Sequence, residues 1–304
     1  GRLAASATPD GADNIAIGRS AFAVSDGVAD DNIAIGRSAL GGADVSGASN
    51  VGIGTTVADA LTTGTKNVAI GLNAMGVATT GCLNIAIGEL ALGAAATTGN
   101  HNVALGTAAA DAVTTGCDNI AIGRDAFSAG TTGCKNIGIG NQAMGGTAVT
   151  GINNIALGTD SMDALTSGIC NVAIGTNALG VSTTGCQNVA IGDASMSACT
   201  ATGINNVAMG TQSMTNLTTG SCNIAIGHTA LNGITTGAQN VAIGRGAMKD
   251  SVLSGDNNVA IGQGSAKSIA AGHKNTIVGM AAGCEVAAGA NNTLVGASAG
   301  QNPE

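Results

Sequence analysis

Asn67-Val68-Ala69-Ile70-Gly71-Leu72-Asn73-Ala74-Met75, residues 67–75, is one of seventeen versions of a single phrase along this 304-residue chain. Each version opens on Asn, runs through a small or aliphatic triplet, and closes on Gly. The series starts at Asn14 and reaches Asn292 in steps of 17 or 18 residues, with nothing inserted. A unit this short cannot bury a core alone, so neighbouring units must stack. The period predicts one continuous array over residues 1–304: a partial coil at 1–13, full coils over 14–291 and a partial coil at 292–304. Gly1-Arg2-Leu3-Ala4 aligns with Gly18-Arg19-Ser20-Ala21, which reads as half a coil and as a segment of a longer array.

Numbered from its Asn, each unit is aliphatic at positions 2 and 4 and small at position 3. That alternation places positions 2 and 4 on one face of a strand and position 3 on the other. Gly fills position 5 in all seventeen units, Gly71, Gly88, Gly106 and Gly123 among them, which predicts a corner with positive φ or close backbone approach. Positions 6 and 7 vary freely (Glu89-Leu90, Asn141-Gln142) and are expected to face solvent. Position 8 is small, Val57 excepted, and position 9 is usually bulky, so a second short strand is expected over positions 6–9. A second glycine column lies three residues before each Asn, with Ala29 the exception. Gly, Asn and Thr recur too densely for an amphipathic helix. The expected fold is all-β: a parallel β-solenoid or β-roll of about seventeen coils, one per repeat. Its rungs would lie about 4.8 Å apart, a rod of roughly 80 Å.

The recurrent asparagines, including Asn67, Asn84, Asn102, Asn119, Asn136, Asn154, Asn171 and Asn188, are expected to form a structural ladder. Stacked amides donate and accept between rungs and tie down turn backbone. A narrow roll buries little apolar surface, and the small residues at positions 3 and 8 would let other chains approach closely. Lateral packing into a homo-oligomer is therefore expected.

Composition removes several classes of function. The formal charge is −8, and ten Lys and Arg form no basic stripe, so nucleic acid is excluded as a partner. Apolar runs are broken every few residues, so no membrane insertion is expected within this segment. His101, His228 and His273 lie coils apart in different unit positions, so no catalytic triad, metal site or cofactor site is expected, and the chain does not read as an enzyme. The glycines precede no helix that could hold phosphate.

Eight cysteines follow a longer period: Cys82, Cys134 and Cys186 lie 52 residues apart. Residues one coil apart fall within disulfide reach, whereas three coils span about 14 Å. Cys117–Cys134 and Cys170–Cys186 are the expected intrachain pairs. Cys82, Cys199, Cys222 and Cys284 have no in-register partner and are candidates for links between chains. Such cysteine usage in a thin array favours an oxidising, extracellular setting.

The repeat resembles the head repeats of trimeric autotransporter adhesins, the YadA-like head, and the similar arrays of bacteriophage tail fibres and large bacterial surface proteins. The likeness runs from Asn14 to Gly300 and is clearest at residues 67–75 and in Asn171-Val172-Ala173-Ile174-Gly175-Thr176-Asn177-Ala178-Leu179. It implies a left-handed β-roll, three chains side by side, on a cell or virion surface, engaged in adhesion. The units are longer than the usual head repeat. The last two units, Asn275-Thr276-Ile277-Val278-Gly279 and Asn292-Thr293-Leu294-Val295-Gly296, also shift their aliphatics by one place.

The leading reading is a structural shaft or head segment of an extracellular fibre or adhesin, with any host receptor contacted outside the segment. Alternatives are a phage tail-fibre receptor-binding segment, a subunit of a self-assembling filament, and an ice-binding solenoid. Ice binding wants Thr-x-Thr on one strand face, whereas Thr62-Thr63 and Thr218-Thr219 are adjacent and point to opposite faces.

Overall fold

Among the described residues every strand falls on the triplet after an Asn, and outside these strands Cys186 and Ile204 form an isolated parallel bridge. In the computed structural model, which describes residues 1–5, 11–25, 29–197, 202–249, 254–284 and 289–301, every strand is three residues long. The chain forms two compact units, Gly1–Asn153 and Asn154–Glu304. The first holds eight strands, from β1 (Ile15–Ile17) to β8 (Ile137–Ile139). The second holds nine, from β9 (Ile155–Leu157) to β17 (Thr293–Val295).

Within each unit, consecutive strands pair in parallel without slippage. Val68, Ala69 and Ile70 face Ile85, Ala86 and Ile87, and in the second unit Val172, Ala173 and Ile174 face Val189, Ala190 and Ile191. Equivalent positions therefore stack one coil above another, as a parallel β-solenoid requires. Among the described residues there is no helix.

No second strand forms over positions 6–9. Position 7 and position 9 both lie in the left-handed region: φ is 54° at Asn73, 51° at Met75 and 52° at Phe127. Extended backbone cannot form at those angles, so the second half of each coil is a chain of turns. These turns are still bonded between coils, as Met75 N–H donates to Ala91 C=O at 2.9 Å and Asn73 N–H to Thr55 C=O at 3.1 Å. A left-handed φ also favours the residue types found at position 9. They are Phe, Leu, Met, Ala or Gly in all seventeen units, types without the Cβ branching that raises the cost of this conformation, whereas position 7 admits Thr56 and Thr229 at φ of 49° and 54°.

The two faces of the strand are assigned opposite to the expectation that small residues receive other chains. Position 3 points into the coil: Ala34, Ala69, Ala86, Ala104 and Ala121 are fully buried. Position 8 is buried beside it (Ala74, Ala91, Ala126), with the bulky position 9 (Phe22, Met75, Leu92, Phe127) completing the core. Some coils bury a second large side chain further along, as Leu165 in the coil of Met162 and Leu217 in the coil of Met214, and small residues at positions 3 and 8 fill the rest of the interior.

Three of the exceptions at position 3, Gly52, Ile277 and Leu294, are complementary exchanges of volume, whereas Gly138 has no enlarged partner at positions 8 and 9. Where position 8 enlarges to Val57, position 3 shrinks to Gly52, whose added Cβ would lie 3.3 Å from both Val57 Cγ1 and Leu40 Cγ. In the last two units position 3 grows to Ile277 and Leu294 while position 9 becomes Gly283 and Gly300. Cβ atoms there would meet Ile277 Cδ1 at 2.9 Å and Leu294 Cδ1 at 2.8 Å. The displaced aliphatics fill the space vacated by position 9, conserving core volume.

Candidate functional site

The asparagine at the head of each coil is placed by the strand that follows it and by the glycine three residues before the next Asn. Asn102 donates through Nδ2 to Gly116 C=O at 2.9 Å and to Asn84 Oδ1 at 3.2 Å, while its backbone N–H donates to the same Oδ1 at 2.8 Å. Asn119 repeats the pattern on Asn102, and in the second unit Asn171 does so on Asn154. Asn67, Asn84, Asn136 and Asn188 likewise donate Nδ2 to a glycine carbonyl and their backbone N–H to the preceding Asn Oδ1, and all eight side chains are at most 1% exposed. With both amide groups occupied inside the coil, none offers an atom to a ligand.

The corner glycines sit equally tightly. Gly71, Gly88, Gly106 and Gly123 have φ of 133°, 136°, 138° and 130°. A Cβ on any of them would fall 2.4–2.5 Å from the carbonyl oxygen of the corner glycine in the next coil. The other glycine column also lies against backbone: a Cβ on Gly81 would meet Gly99 O at 2.6 Å.

What the coil does present outward is the pair at positions 2 and 4. Of these 34 positions, 32 are Val, Ile, Leu or Met, and Thr276 and Thr293 are the exceptions. None of the 34 is buried; Ile85 and Ile87 remain 38% and 40% exposed, and Ile224 and Ile226 are 38% and 39% exposed. In-register pairing aligns them into a two-column aliphatic stripe along each unit. The stripe exposes on the order of 1,000 Å² per unit, against the few hundred Å² of contiguous apolar surface usual on a soluble monomer. Alternation alone could not reveal that this face is the outer one. The absence of Cβ-branched residues at position 9 is a partial signal for a turn there, since position 7 of the same turn admits Thr56 and Thr229.

The first Thr of the repeated pairs is tied into the coil rather than displayed. Thr62, Thr114, Thr166 and Thr218 donate their hydroxyls to the carbonyls of Thr79, Thr131, Thr183 and Thr235 at 2.9–3.1 Å.

All seven described cysteines are free thiols, and Cys199 lies outside the described residues. The expected Cys117–Cys134 disulfide is not formed, although stacking brings the two sulfurs to 2.7 Å. A bond requires about 2.05 Å. Hydrogen bonding to Cys134, burial and the nearby Asp118 carboxylate push the Cys117 thiol up to about 11. It is thus protonated at neutral pH, the reverse of an activated nucleophile.

The expected Cys170–Cys186 bond is also absent: Cys170 immediately precedes Asn171 whereas Cys186 lies two before Asn188, so they belong to different columns. Of the cysteines assigned to links between chains, Cys222 is exposed, Cys82 Sγ accepts from Thr65 N–H at 3.4 Å, and Cys284 Sγ lies 2.9 Å from Gln301 Nε2.

His101 Nδ1 lies 3.7 Å from Asp118 Oδ1, both well exposed, and His273 Nδ1 lies 3.2 Å from Ala271 O. Among the described residues no group of three or more His, Cys, Asp and Glu has metal-binding geometry, and no helix is long and apolar enough to cross a membrane.

Burial, reinforced by the Asp125 carboxylate, raises the Asp111 carboxyl above its usual 3.8, against a backbone hydrogen bond from Ala112. The raised folded-state value means that ionising Asp111 weakens the fold, with stability lost as pH rises through that range. Asp111→Asn is expected to raise the urea midpoint at pH 7, an effect that fades as pH falls and vanishes well below pH 3.8, where the carboxyl is neutral in both states.

No protein-family model, curated protein or solved structure matches this chain.

Proposed function

We propose that this chain is a non-catalytic structural segment of an extracellular fibre or adhesin, in which copies pack side by side along the aliphatic stripe. The observation that supports it is the stripe itself. Its area in each unit meets the roughly 800 Å² per partner of a stable protein interface. It carries no charge, and its two columns repeat at the strand spacing of about 4.8 Å. A partner that matches such a comb over many rungs has the same rise per coil, and a second copy of the chain is that partner.

Each coil presents one stripe, not two, which favours a closed assembly around a common axis over an open lateral filament. The likeness to trimeric adhesin heads selects three copies and a left-handed coil. In such a trimer the aliphatics at positions 2 and 4, rather than the small residues at positions 3 and 8, line the contact. The buried ladder and corners leave the repeat without reactive groups, which suits a spacer whose receptor contacts lie elsewhere on the fibre.

Sedimentation of the purified chain is expected to give a trimer mass. Replacing Ile87, Ile122 and Ile139 together by Glu should yield a monomer with an unchanged β-type circular dichroism spectrum, since these side chains already point outward. A monomeric native chain, or a triple variant that stays associated, would overturn the reading.

A further inference from the structure

Three of the ten Lys and Arg residues in this net-acidic chain, Arg245, Lys249 and Lys267, line one surface concavity of about 450 Å³. His228 joins them, and among the described residues no lining side chain is acidic. The concavity has a local cause in the sequence. Position 7 carries a side chain in every other unit but is glycine in two successive ones, at Gly246 and Gly264.

Unlike the corner glycines, these two are not required by close packing. A Cβ on Gly264 would meet nothing within 4 Å, and one on Gly246 would touch only the Lys249 side chain, at 3.7 Å. Their φ values of 66° and 63° are close to those of Asn73, Asp125 and Gln142 at the same position. The glycines therefore open a floor that side chains would otherwise cover.

Basic side chains stand on two sides of that floor. His228 and Arg245 occupy position 6 of successive coils, and Lys249 and Lys267 occupy position 10 of successive coils. Stacking sets each column at about 4.8 Å spacing, a scale suited to the separate oxygens of one oxyanion. Neither Arg245 nor Lys249 makes an ion pair among the described residues. The floor amides are already used, Gly246 N–H bonding His228 C=O at 2.9 Å and Gly264 N–H bonding Arg245 C=O at 3.0 Å. Recognition would thus fall to the side chains, through charge-assisted bonds and the planar Arg fork.

We propose that this concavity binds an oxyanion, the phosphate or sulfate group of a small monoester. The site uses positions 6, 7 and 10, not the stripe at positions 2 and 4, so it stands apart from the assembly proposed above.

Titration calorimetry with a hexose 6-phosphate, a hexose 6-sulfate and the unmodified hexose tests it. One equivalent of ester is expected to bind per chain, weakening with added salt, while the neutral hexose does not bind. The tighter of the two esters identifies the anionic group. Arg245→Gln with Lys249→Gln should weaken binding at least tenfold. Gly264→Asn, which keeps every charge and places on the floor a residue type that position 7 accepts elsewhere, should do the same. Arg124→Gln with Lys135→Gln, a pair of cations elsewhere, should not change it. Absence of binding by the native chain, equal binding by Gly264→Asn, or equal loss in the distant control would overturn the proposal.

Discussion

Gly106→Ala is expected to destabilise its unit by at least about 3 kcal/mol, combining a disallowed backbone angle with a backbone clash. The φ of 138° lies in a region that residues with a Cβ avoid, and the new methyl would sit 2.4 Å from Gly123 O and 2.7 Å from Gly123 C. Neither neighbour is a flexible side-chain end. Both belong to the next corner, which holds its own position through the Gly123 N–H bond to Leu105 C=O at 2.8 Å. Relief therefore requires separating adjacent coils, which breaks the strand pairing of Val103–Leu105 with Ile120–Ile122. Because each coil contacts only its neighbours, damage should concentrate near residue 106 and fade with distance. Hydrogen exchange should show lost protection at residues 103–123, and denaturant unfolding should give the free-energy change. Native-like protection there would refute the account of the corner.

Asn119→Ala is expected to cost about 3–5 kcal/mol, from buried groups left without partners. Its Nδ2 satisfies Gly133 C=O at 2.7 Å, and its Oδ1 accepts the Asn136 backbone N–H at 3.0 Å. Alanine removes both bonds in a place water does not reach. Asn102 Oδ1 still receives the Asn119 backbone N–H at 3.1 Å, so the ladder is interrupted on one side only. Asn119→Asp should be worse at pH 7, since a carboxylate cannot donate to Gly133 C=O and would be a buried charge. Equilibrium unfolding of the two variants at pH 7 checks the order. A loss below about 1 kcal/mol for alanine would mean that the amide is dispensable.

Both changes strike features visible in the amino-acid sequence. An Asn and a Gly that return in every unit, at fixed distance from an alternating triplet, specify a strand, a corner and a stacking contact. The exceptions were visible too, but their meaning was not. Val57 with Gly52, and Ile277 with Gly283, look like unrelated departures until stacking places each pair in one core.

The second half of the coil resisted reading for a different reason. Small-then-bulky residues at positions 8 and 9 fit a strand as well as a turn, and only the left-handed φ at Met75, Leu92 and Phe127 distinguishes them. The basic concavity escaped notice because Arg245 and Lys267 are 22 positions apart in sequence and meet only through stacking. The cysteines show the converse limit: equal spacing brings Cys117 and Cys134 together, yet proximity left two hydrogen-bonded thiols rather than a bond.

The sequence by itself determined the period, the strand at positions 2–4, the glycine corner and the buried amide ladder, because each depends on local stereochemistry repeated in register. Which side of the strand faces inward was decided only by the tertiary structure. Alternation is symmetric between two faces, and the choice falls to the width of the closed coil. Seventeen or eighteen residues close around a space that is filled by Ala69, Ala74 and Met75 in one coil and by Met162 with Leu165 in another, and so Val68 and Ile70 and their counterparts are turned outward.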